Sequence, residues 1–306
     1  MSLVTPAYNQ GEFLEAAMRS VLEQDYPDLE YVVVDDGSTD DSLAVAQRVA
    51  ADYPGRVRVL TQPNAGQALT LNRAWAATTG ELLGYLSSDD VLLPGAIRQL
   101  VAALQARPQA VLVYADFWLI DPAGARLRVA VAPEFDRRAM LEDLVCAPGV
   151  GAIFRREVFD RTGGWDPERR QVPDFEFWLR AVECGDFTRL DACLSEYRIH
   201  EGSASYRRMP LARAEEIVAV VRKHWVRAAT RSEVSPGLVR RSVARALALA
   251  GKNHAQSGRP WLALQRYGEA FRMRPGLLLE AATWRQVLVG FLRRAYFGRR
   301  VKDGIQ

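Results

Sequence analysis

Two pairs of adjacent carboxylates, Asp35-Asp36 and Asp89-Asp90, each follow a short apolar run in the sequence. Two negative charges about 4 Å apart repel each other, so a protein needs a reason to keep them as neighbours. A hard divalent cation is the commonest reason, because such an ion is bound through carboxylate oxygens. Helix capping is the simpler explanation, but it needs only one side chain per junction. The pairs therefore indicate a cation or ligand site.

These carboxylates lie where strand-like and helix-like segments alternate, up to about residue 115. Such alternation with short links predicts a mainly parallel sheet between helices, whose ligands bind at the carboxyl ends of the strands. Four successive strand ends carry polar clusters, at 6–9, 35–41, 64–66 and 87–90. The predicted strands are 3–5, 31–35, 57–61, 82–86 and 111–114, and the predicted helices are 13–24, 42–53, 67–77 and 95–106.

Beyond residue 115 the pattern changes to mixed α+β and then to helix alone. A hairpin is predicted from strands 117–120 and 126–131, and from residue 210 every segment has helical period. Further predicted elements are a strand at 152–155, a helix at 174–183 and a last strand at 193–199.

The composition is that of an ordinary globular protein, with 306 residues, 49% of them hydrophobic and 25% charged. It argues against disorder and a fibrous role. Cys146, Cys184 and Cys193 form no CxxC pair, so neither a zinc site nor a disulfide framework is indicated. With no secretion signal and no clean run of about 20 apolar residues, we expect a cytoplasmic protein, soluble or at most peripheral on the inner face of the membrane.

The net charge of +3 hides an asymmetry along the chain. Residues 1–200 hold 19 Lys/Arg against 30 Asp/Glu, whereas residues 201–306 hold 21 against 7. A strongly basic second region is typical of a surface that faces phosphates, an anionic membrane or an acidic partner. An exposed basic helical surface without a partner is an equally good interpretation, and both stay open.

Seven motifs occur in a fixed order over about residues 2–203. They are Pro6-Ala7-Tyr8-Asn9, Asp35 to Asp40, Asn64-Ala65-Gly66-Gln67 through Asn72, Ser87-Ser88-Asp89-Asp90, Gly163-Gly164-Trp165-Asp166, Asp174 ahead of Trp178, and Tyr197-Arg198-Ile199-His200. In order and spacing this set resembles the family 2 glycosyltransferases, which have the glycosyltransferase-A fold. The resemblance implies a Rossmann-like α/β domain over residues 1–205. It stops near that point, and the helical period of the remaining chain predicts an all-α region over residues 206–306.

The resemblance also implies a site for a nucleotide diphosphate sugar donor. Pro6, Ala7 and Tyr8 would line the base and ribose, and Asp36 or Asp35 would accept a hydrogen bond from one of them. The simpler interpretation is that these two carboxylates start a turn before a capped helix. The full set of implied donor-binding residues is Pro6, Ala7, Tyr8, Asp35, Asp36, Asn64, Gly66, Gln67, Asn72, Ser88 and Asp89.

Asp89, with Asp90 beside it, resembles the family's Asp-x-Asp motif, which holds Mn²⁺ or Mg²⁺ against the diphosphate. The first acidic position of that motif is Ser87 here, which gives water, phosphate or a distant His more weight as ligands. His200 matches a metal-ligating position in some relatives, although a lone His at a strand end is more often structural. The implied metal ligands are therefore Asp89, Asp90 and His200.

Asp174 matches the family's catalytic base, which takes a proton from the attacking acceptor hydroxyl. One base and one direct displacement invert the anomeric configuration. Pro173 stands where the family usually has Glu, and capping of the next helix is the alternative role for Asp174. Glu176 is the nearest competing carboxylate, but its place on the helix should point it to a different face.

The carboxy-terminal region contains one stretch, 247–275, whose residue spacing is similar to a single tetratricopeptide repeat. A single repeat cannot bury its own faces, so we expect a small helical bundle that includes one such helix pair. The last stretch, 284–302, combines apolar positions with several Arg and Lys residues. It suits an anionic membrane carrying lipid-linked acceptors, and equally a solvated basic tail.

The resemblance as a whole implies a metal-assisted inverting glycosyltransferase. It would move a sugar from a UDP- or dTDP-linked donor to a hydroxyl of a glycan or lipid-linked acceptor, in polysaccharide or cell-envelope synthesis. A non-catalytic nucleotide-sugar-binding or scaffolding protein is the alternative, because Ser87 and Pro173 depart from the motifs. No nucleic-acid partner is expected.

Overall fold

Strands and helices alternate through the first third of the structure, a computed structural model that describes residues 1–200, 202–203, 208–230 and 234–300, the last nine of these by backbone alone. The described residues divide into two compact units. One unit, called the sheet unit, comprises Met1–Phe135, Cys146–Glu168 and Pro173–Ser203. The other, called the helical unit, comprises Asp136–Val145, Arg169–Val172 and the chain from Ala204 onward.

The sheet unit is built on one sheet of nine strands in the order β3-β2-β1-β4-β8-β6-β9-β5, with β7 paired to β6. The strands are β1 (Ser2–Ala7), β2 (Glu30–Asp35), β3 (Val57–Thr61), β4 (Leu82–Tyr85), β5 (Val91–Leu92), β6 (Ala110–Ile120), β7 (Arg126–Ala130), β8 (Ile153–Arg155) and β9 (Asp186–Arg198). The helices of this unit are α1 (Gly11–Leu22), α2 (Ser42–Asp52), α3 (Gln67–Ala76), α4 (Ala96–Gln105), α6 (Arg156–Thr162) and α7 (Pro173–Ala181).

Strands β1 to β4 pair in parallel, as the sequence predicts. Ala7 is opposite Asp35, and Asp35 is opposite Thr61, so three strands end in register. The polar segments that follow these strands therefore begin at one edge of the sheet. The second half is mixed, because β8 runs antiparallel to both β4 and β6 while β6 and β9 are parallel.

Helices cover both faces of the sheet, and neighbouring residues of β8 show this alternation. Ile153 belongs to the core that contains the apolar faces of α1, α2 and α4. Phe154 points the other way and packs edge-on against Trp75 of α3 and beside Phe177 and Trp178 of α7. The predicted α/β architecture with helices on either side of the sheet is thus confirmed.

The prediction of two separate strands at 111–114 and 117–120 is wrong, because both lie in the single strand β6. The sequence pattern breaks at Asp116, a charged residue in an apolar run. In the structure the Asp116 carboxylate is buried and pairs with Arg189 of β9 at 2.7 and 3.0 Å. It also accepts a hydrogen bond from the Ala132 amide at 2.9 Å. A paired buried charge lets the strand continue.

The helical unit consists of α5 (Arg137–Glu142), α8 (Leu211–Ala229), α9 (Pro236–Gln256), α10 (Pro260–Met273), a 3₁₀ turn (Pro275–Leu279) and α11 (Ala281–Arg300). Helices α9 and α10 form the pair predicted to resemble a tetratricopeptide repeat. A Cβ added to Gly251 would lie 3.1 Å from the Tyr267 ring, so glycine lets this ring of α10 pack closely on α9. Among the described residues, no helix is both long enough and apolar enough to span a membrane.

A buried polar cluster joins three helices of this unit. Glu215 of α8 accepts from His254 of α9 at 2.6 Å and from Arg266 of α10 at 2.7 Å. The other ring nitrogen of His254 accepts from the Arg259 guanidinium at 2.9 Å, so the ring is the neutral tautomer that donates to Glu215. His254 is fully buried, and the cluster therefore depends on each of its partners.

Candidate active site

The strand ends of β1, β2 and β3 are tied together by Asp36, whose side chain is buried. Its Oδ1 accepts from the Gln62 side chain at 2.7 Å and from the Ala65 amide at 2.9 Å. Its Oδ2 accepts from the Gly66 amide at 2.7 Å, and its own amide donates to the Ala7 carbonyl at 2.8 Å. Asp36 therefore shapes the loop that enters α3, and its carboxylate is already hydrogen-bonded within the protein.

The turn after β2 packs closely on that same loop. Gly37 has a φ of +73°, and an added Cβ would lie 2.8 Å from the Asn64 amide nitrogen, so a side chain is excluded there. Asp35 accepts from the Ser38 amide at 3.3 Å and from the Thr61 hydroxyl at 3.1 Å. The Asp35-Asp36 pair is thus held by uncharged donors on both sides.

Asp89 lies beside His200, with 2.9 Å between Oδ2 and the ring Nε2. Both side chains keep some exposure, at 19% and 12%. The His200 ring packs against the Phe13 ring of α1, with 4.8 Å between ring centroids. The structure thus joins two residues 111 positions apart in the chain, both of them predicted metal ligands.

Asp90 points into the protein instead. Its Oδ1 accepts from the Arg198 amide at 3.0 Å, while the Arg198 guanidinium donates to the Asp89 carbonyl at 2.9 Å. Burial, and next the charge of Asp89, raise the pKa of Asp90 well above its ordinary value. Arg198 therefore fixes the backbone of the acidic pair from β9.

The Asp89 and His200 pair has the chemistry that Mn²⁺ or Mg²⁺ accepts: one carboxylate oxygen and one imidazole nitrogen on partly exposed side chains. Within the described residues, no three His, Cys, Asp or Glu side chains converge as a ready-made metal cage. The two residues fit an ion that is also bound by phosphate oxygens and water, and they do not form a closed protein site.

Asp174 lies in the first turn of α7, where its Oδ1 accepts from the Phe175 amide at 2.8 Å. Its charge also acts on Tyr85, at the end of β4. Burial, followed by the negative charges of Asp174 and Asp90, raises the pKa of Tyr85 well above its ordinary value. Both carboxylates therefore act on one phenol, although they come from different elements.

Glu176, the competing carboxylate on α7, is buried and paired with Arg180. Two guanidinium nitrogens lie 2.9 and 2.5 Å from its carboxylate oxygens. The same guanidinium donates to the carbonyls of Thr162 and Gly164 at 2.6 Å each. Glu176 is thus part of a structural ion pair that fixes the loop after α6.

The remaining predicted donor-binding residues differ in their surroundings. Asn72 uses its side-chain amide on the Trp165 backbone, donating to the carbonyl and accepting from the amide at 2.8 Å each. Pro6 and Ala7 are buried in β1, whereas Tyr8 is 49% exposed. Asn64 and Gly66 lie in the loop held by Asp36, Gln67 begins α3, and Ser88 is buried beside Asp89. Their role in donor binding stays a prediction.

Three residues of the site carry roles that the sequence did not indicate. Tyr85 looks like an ordinary strand residue, and Phe13 like an ordinary core residue of a helix. Arg198 lies inside the predicted Tyr197 to His200 motif, which is the only signal that could have identified it. Their contacts join elements that are far apart in the chain.

Solved structures share this fold. The chain matches S. aureus TarS 1–349 in complex with UDP-GlcNAc at a TM-score of 0.60, with 17% identity and 90% of each chain covered. It matches the mannosyltransferase PcManGT from Pyrobaculum calidifontis, in complex with GDP-Man and Mn²⁺, at a TM-score of 0.59, with 19% identity and coverage of 96% and 86%. The predicted glycosyltransferase-A fold is thereby confirmed.

Sequence comparison gives the family. The hyaluronan synthase of Pasteurella multocida is 26% identical over 221 residues, which are 72% of this chain and only 22% of that synthase. The chain thus spans less than a quarter of the length of this relative. The family model for glycosyl transferase family 2 matches residues 2–163, more than half of the chain. With the motifs, the sheet and the strand-end residues all in agreement, the chain belongs to glycosyl transferase family 2.

Proposed function

We propose that this protein transfers a sugar from a nucleotide diphosphate sugar to a hydroxyl of a glycan or lipid-linked acceptor, with inversion at the anomeric carbon. The observation that best supports it is the pairing of Asp89 with His200 at 2.9 Å on partly exposed side chains, which could hold a divalent ion and a diphosphate. Asp174, a carboxylate in the first turn of a separate helix, supplies the general base that a single displacement between donor and acceptor requires.

The donor would bind at the shared edge of β1, β2 and β4. Tyr8 offers an exposed ring for the base, and the loop held by Asp36 offers polar groups for the ribose. The solved complexes of the two structural relatives contain UDP-GlcNAc and GDP-Man, respectively. We propose a uridine or thymidine diphosphate sugar as the donor, as the sequence resemblance implies, and the donor panel described below tests this choice against GDP-linked sugars.

Asp174 would act as the general base. It would accept the proton of the acceptor hydroxyl while that oxygen bonds to the anomeric carbon and the nucleoside diphosphate leaves. Glu176 is unsuited to this role, because Arg180 already holds both of its oxygens.

Asp89 and His200 would hold the divalent ion, Mn²⁺ or Mg²⁺, together with the diphosphate. When bound, such an ion neutralises the phosphates and stabilises the charge that develops on the leaving group. Arg198 would keep the Asp89 backbone in place for this contact.

A donor panel tests the proposal. UDP-, dTDP- and GDP-linked sugars are incubated with Mn²⁺ and glycan or lipid-linked acceptors, and nucleoside diphosphate release and product mass are recorded. Asp174→Asn is expected to lower kcat by roughly 10²- to 10⁴-fold, with donor affinity by calorimetry retained. Asp160→Asn, a change at an exposed Asp of α6, is the matched control and should behave as the parent. Absence of turnover with every donor, or an unaffected Asp174→Asn variant, would contradict the proposal.

The product also tests the stereochemistry. The anomeric configuration of the new linkage, read by nuclear magnetic resonance, is expected to be opposite to that of the donor sugar. Retention of configuration would require a second displacement, and Asp174 would then not be acting as a single base.

A further inference from the structure

The carboxylate of Glu216, on α8, accepts hydrogen bonds from three consecutive backbone amides. The Arg170 amide lies 2.9 Å from Oε2, and the amides of Gln171 and Val172 lie 2.7 and 2.8 Å from Oε1. The residue is only 7% exposed. Three successive N–H groups directed at one anion form a backbone nest, and hydrogen bonds to a charged acceptor are the strong kind.

Glu216 and these amides all lie in the helical unit, which includes Arg169–Val172. The next two residues along the chain are Pro173 and Asp174, which begin α7. Pro173 has a fixed φ and no N–H, so the last backbone donors before the helix are those that Glu216 holds. One stiff residue therefore separates the Glu216 nest from the proposed base.

Building on the proposed function, we infer that Glu216 is a positioning residue for Asp174. By holding residues 170–172, it fixes the backbone conformation of the segment that leads into α7, and with it the start of the first turn that carries Asp174. Glu216 touches neither donor nor acceptor in this scheme. The inference gives Glu216 a part in catalysis through the segment that precedes the base.

Glu216→Gln would keep the shape of the side chain and remove part of its hydrogen bonding to the three backbone amides. Its carbonyl oxygen could still accept two amides, but its NH₂ group would then face a third N–H group, and two donors cannot satisfy each other. An aspartate would keep the charge on a side chain that is one methylene shorter. Glu216→Gln should therefore perturb the loop more specifically than a truncation would, and Glu216→Asp should restore part of the function.

Glu215, the preceding residue on α8, supplies the matched control. It is also a partly buried carboxylate with several protein donors, but its partners are His254 and Arg266. Glu215→Gln therefore weakens the same helical unit without removing an acceptor from residues 170–172. A general loss of stability would affect both variants, whereas a positioning role affects only Glu216→Gln.

The test measures kcat and KM of the full chain with UDP-GlcNAc and the other panel donors plus Mn²⁺, together with amide hydrogen exchange of residues 169–176. Glu216→Gln is expected to lower kcat by roughly 10- to 100-fold with donor KM unchanged, as expected for a small displacement of a catalytic group. Exchange at the amides of 170–172 should accelerate. Glu215→Gln should change neither, and Glu216→Asp should recover part of kcat.

Equal losses of kcat in Glu215→Gln and Glu216→Gln would overturn the inference, and so would full kcat in Glu216→Gln with accelerated exchange. If Glu216→Gln fails to fold by circular dichroism, the comparison of Glu216→Asp with Glu215→Gln decides in the same way. A parent protein that turns over no sugar nucleotide would instead refute the proposed function, and the inference with it.

Discussion

Three aspartates after strand ends and a fourth at the start of α7 differ in what their oxygens contact, and those contacts separate their roles. The Asp36 carboxylate accepts hydrogen bonds from amides of the loop that enters α3, and the Asp90 carboxylate accepts one from the Arg198 amide. Asp89 keeps an oxygen beside His200 on a partly exposed side chain. Asp174 lies at a helix N-terminus, where the positive end of the helix dipole favours a carboxylate. Residue type alone could not distinguish these four.

Asp89→Asn should weaken activation by Mn²⁺. The change keeps the size of the side chain but removes its charge and replaces one carboxylate oxygen by an NH₂ group, which does not bind a hard cation. We expect the Mn²⁺ concentration for half-maximal turnover to rise by at least roughly tenfold. A metal titration after treatment with EDTA measures this, and re-addition of Mn²⁺ to the parent protein is the control. Identical activation curves for the two proteins would contradict the assignment of Asp89.

At the scale of elements, the sequence predicts what depends on local pattern. The alternation of β1 to β4 with their helices follows from hydrophobic period, and the polar strand ends follow from that alternation. The sequence pattern predicts two strands in place of β6, because the pairing of Asp116 with Arg189 joins residues 73 positions apart. Glu216 gave no signal for the same reason, since its partners lie about 45 residues earlier in the chain. Long-range pairing of polar groups is the information that periodicity lacks.

The packing of α8, α9 and α10 depends on Glu215. Removing its carboxylate with Glu215→Ala would leave fully buried His254 and the Arg266 guanidinium without their acceptor. We expect a loss of about 3 kcal/mol in the free energy of unfolding, the low end for a broken buried pair because Glu215 is partly exposed. Urea unfolding followed by circular dichroism measures it. A variant as stable as the parent would show that water replaces the carboxylate without cost.

The cluster around Glu215 predicts that the free energy of unfolding depends on pH. Burial opposes ionisation of Glu215, but hydrogen bonds from His254 and Arg266 hold its pKa below the ordinary value of 4.5. A lowered pKa in the folded state means that this stabilisation is present above pH 4.5 and is lost as the pH falls through the folded-state pKa. The difference in unfolding free energy between parent and Glu215→Gln should therefore shrink at acid pH. Arg259 and Glu269, which also face the cluster, are unchanged in both proteins.

At the scale of the whole chain, the two units are not separated at a single point in the sequence. The helical unit includes two segments from the first 200 residues, Asp136–Val145 and Arg169–Val172. Asp136–Val145 belongs to the helical unit, where Glu142 pairs with Arg241 at 2.6 Å and Asp143 pairs with Arg245 at 3.1 Å. The predicted boundary at residue 205 stays a prediction. A chain cut there would retain α5 without those partners. We expect residues 1–205 alone to unfold at a lower temperature than the full chain by calorimetry, and an unchanged transition would support an independent domain.

Peripheral attachment to an anionic membrane is an expectation that can be tested on the whole protein. The basic region 201–306 carries exposed apolar side chains in its described part, among them Trp261 at 82% and Leu279 at 90% exposure. Apolar side chains that enter the interface beside basic ones bind anionic lipid. The parent protein should therefore sediment with vesicles rich in phosphatidylglycerol and not with phosphatidylcholine vesicles, and added salt should release it. The double substitution Trp261→Ser and Leu279→Ser should reduce sedimentation. Val131→Ser, which changes an exposed apolar residue just after β7 in the sheet unit, should not reduce it. Equal sedimentation with both lipids, or none with either, would leave the basic surface as a solvated face of the helices.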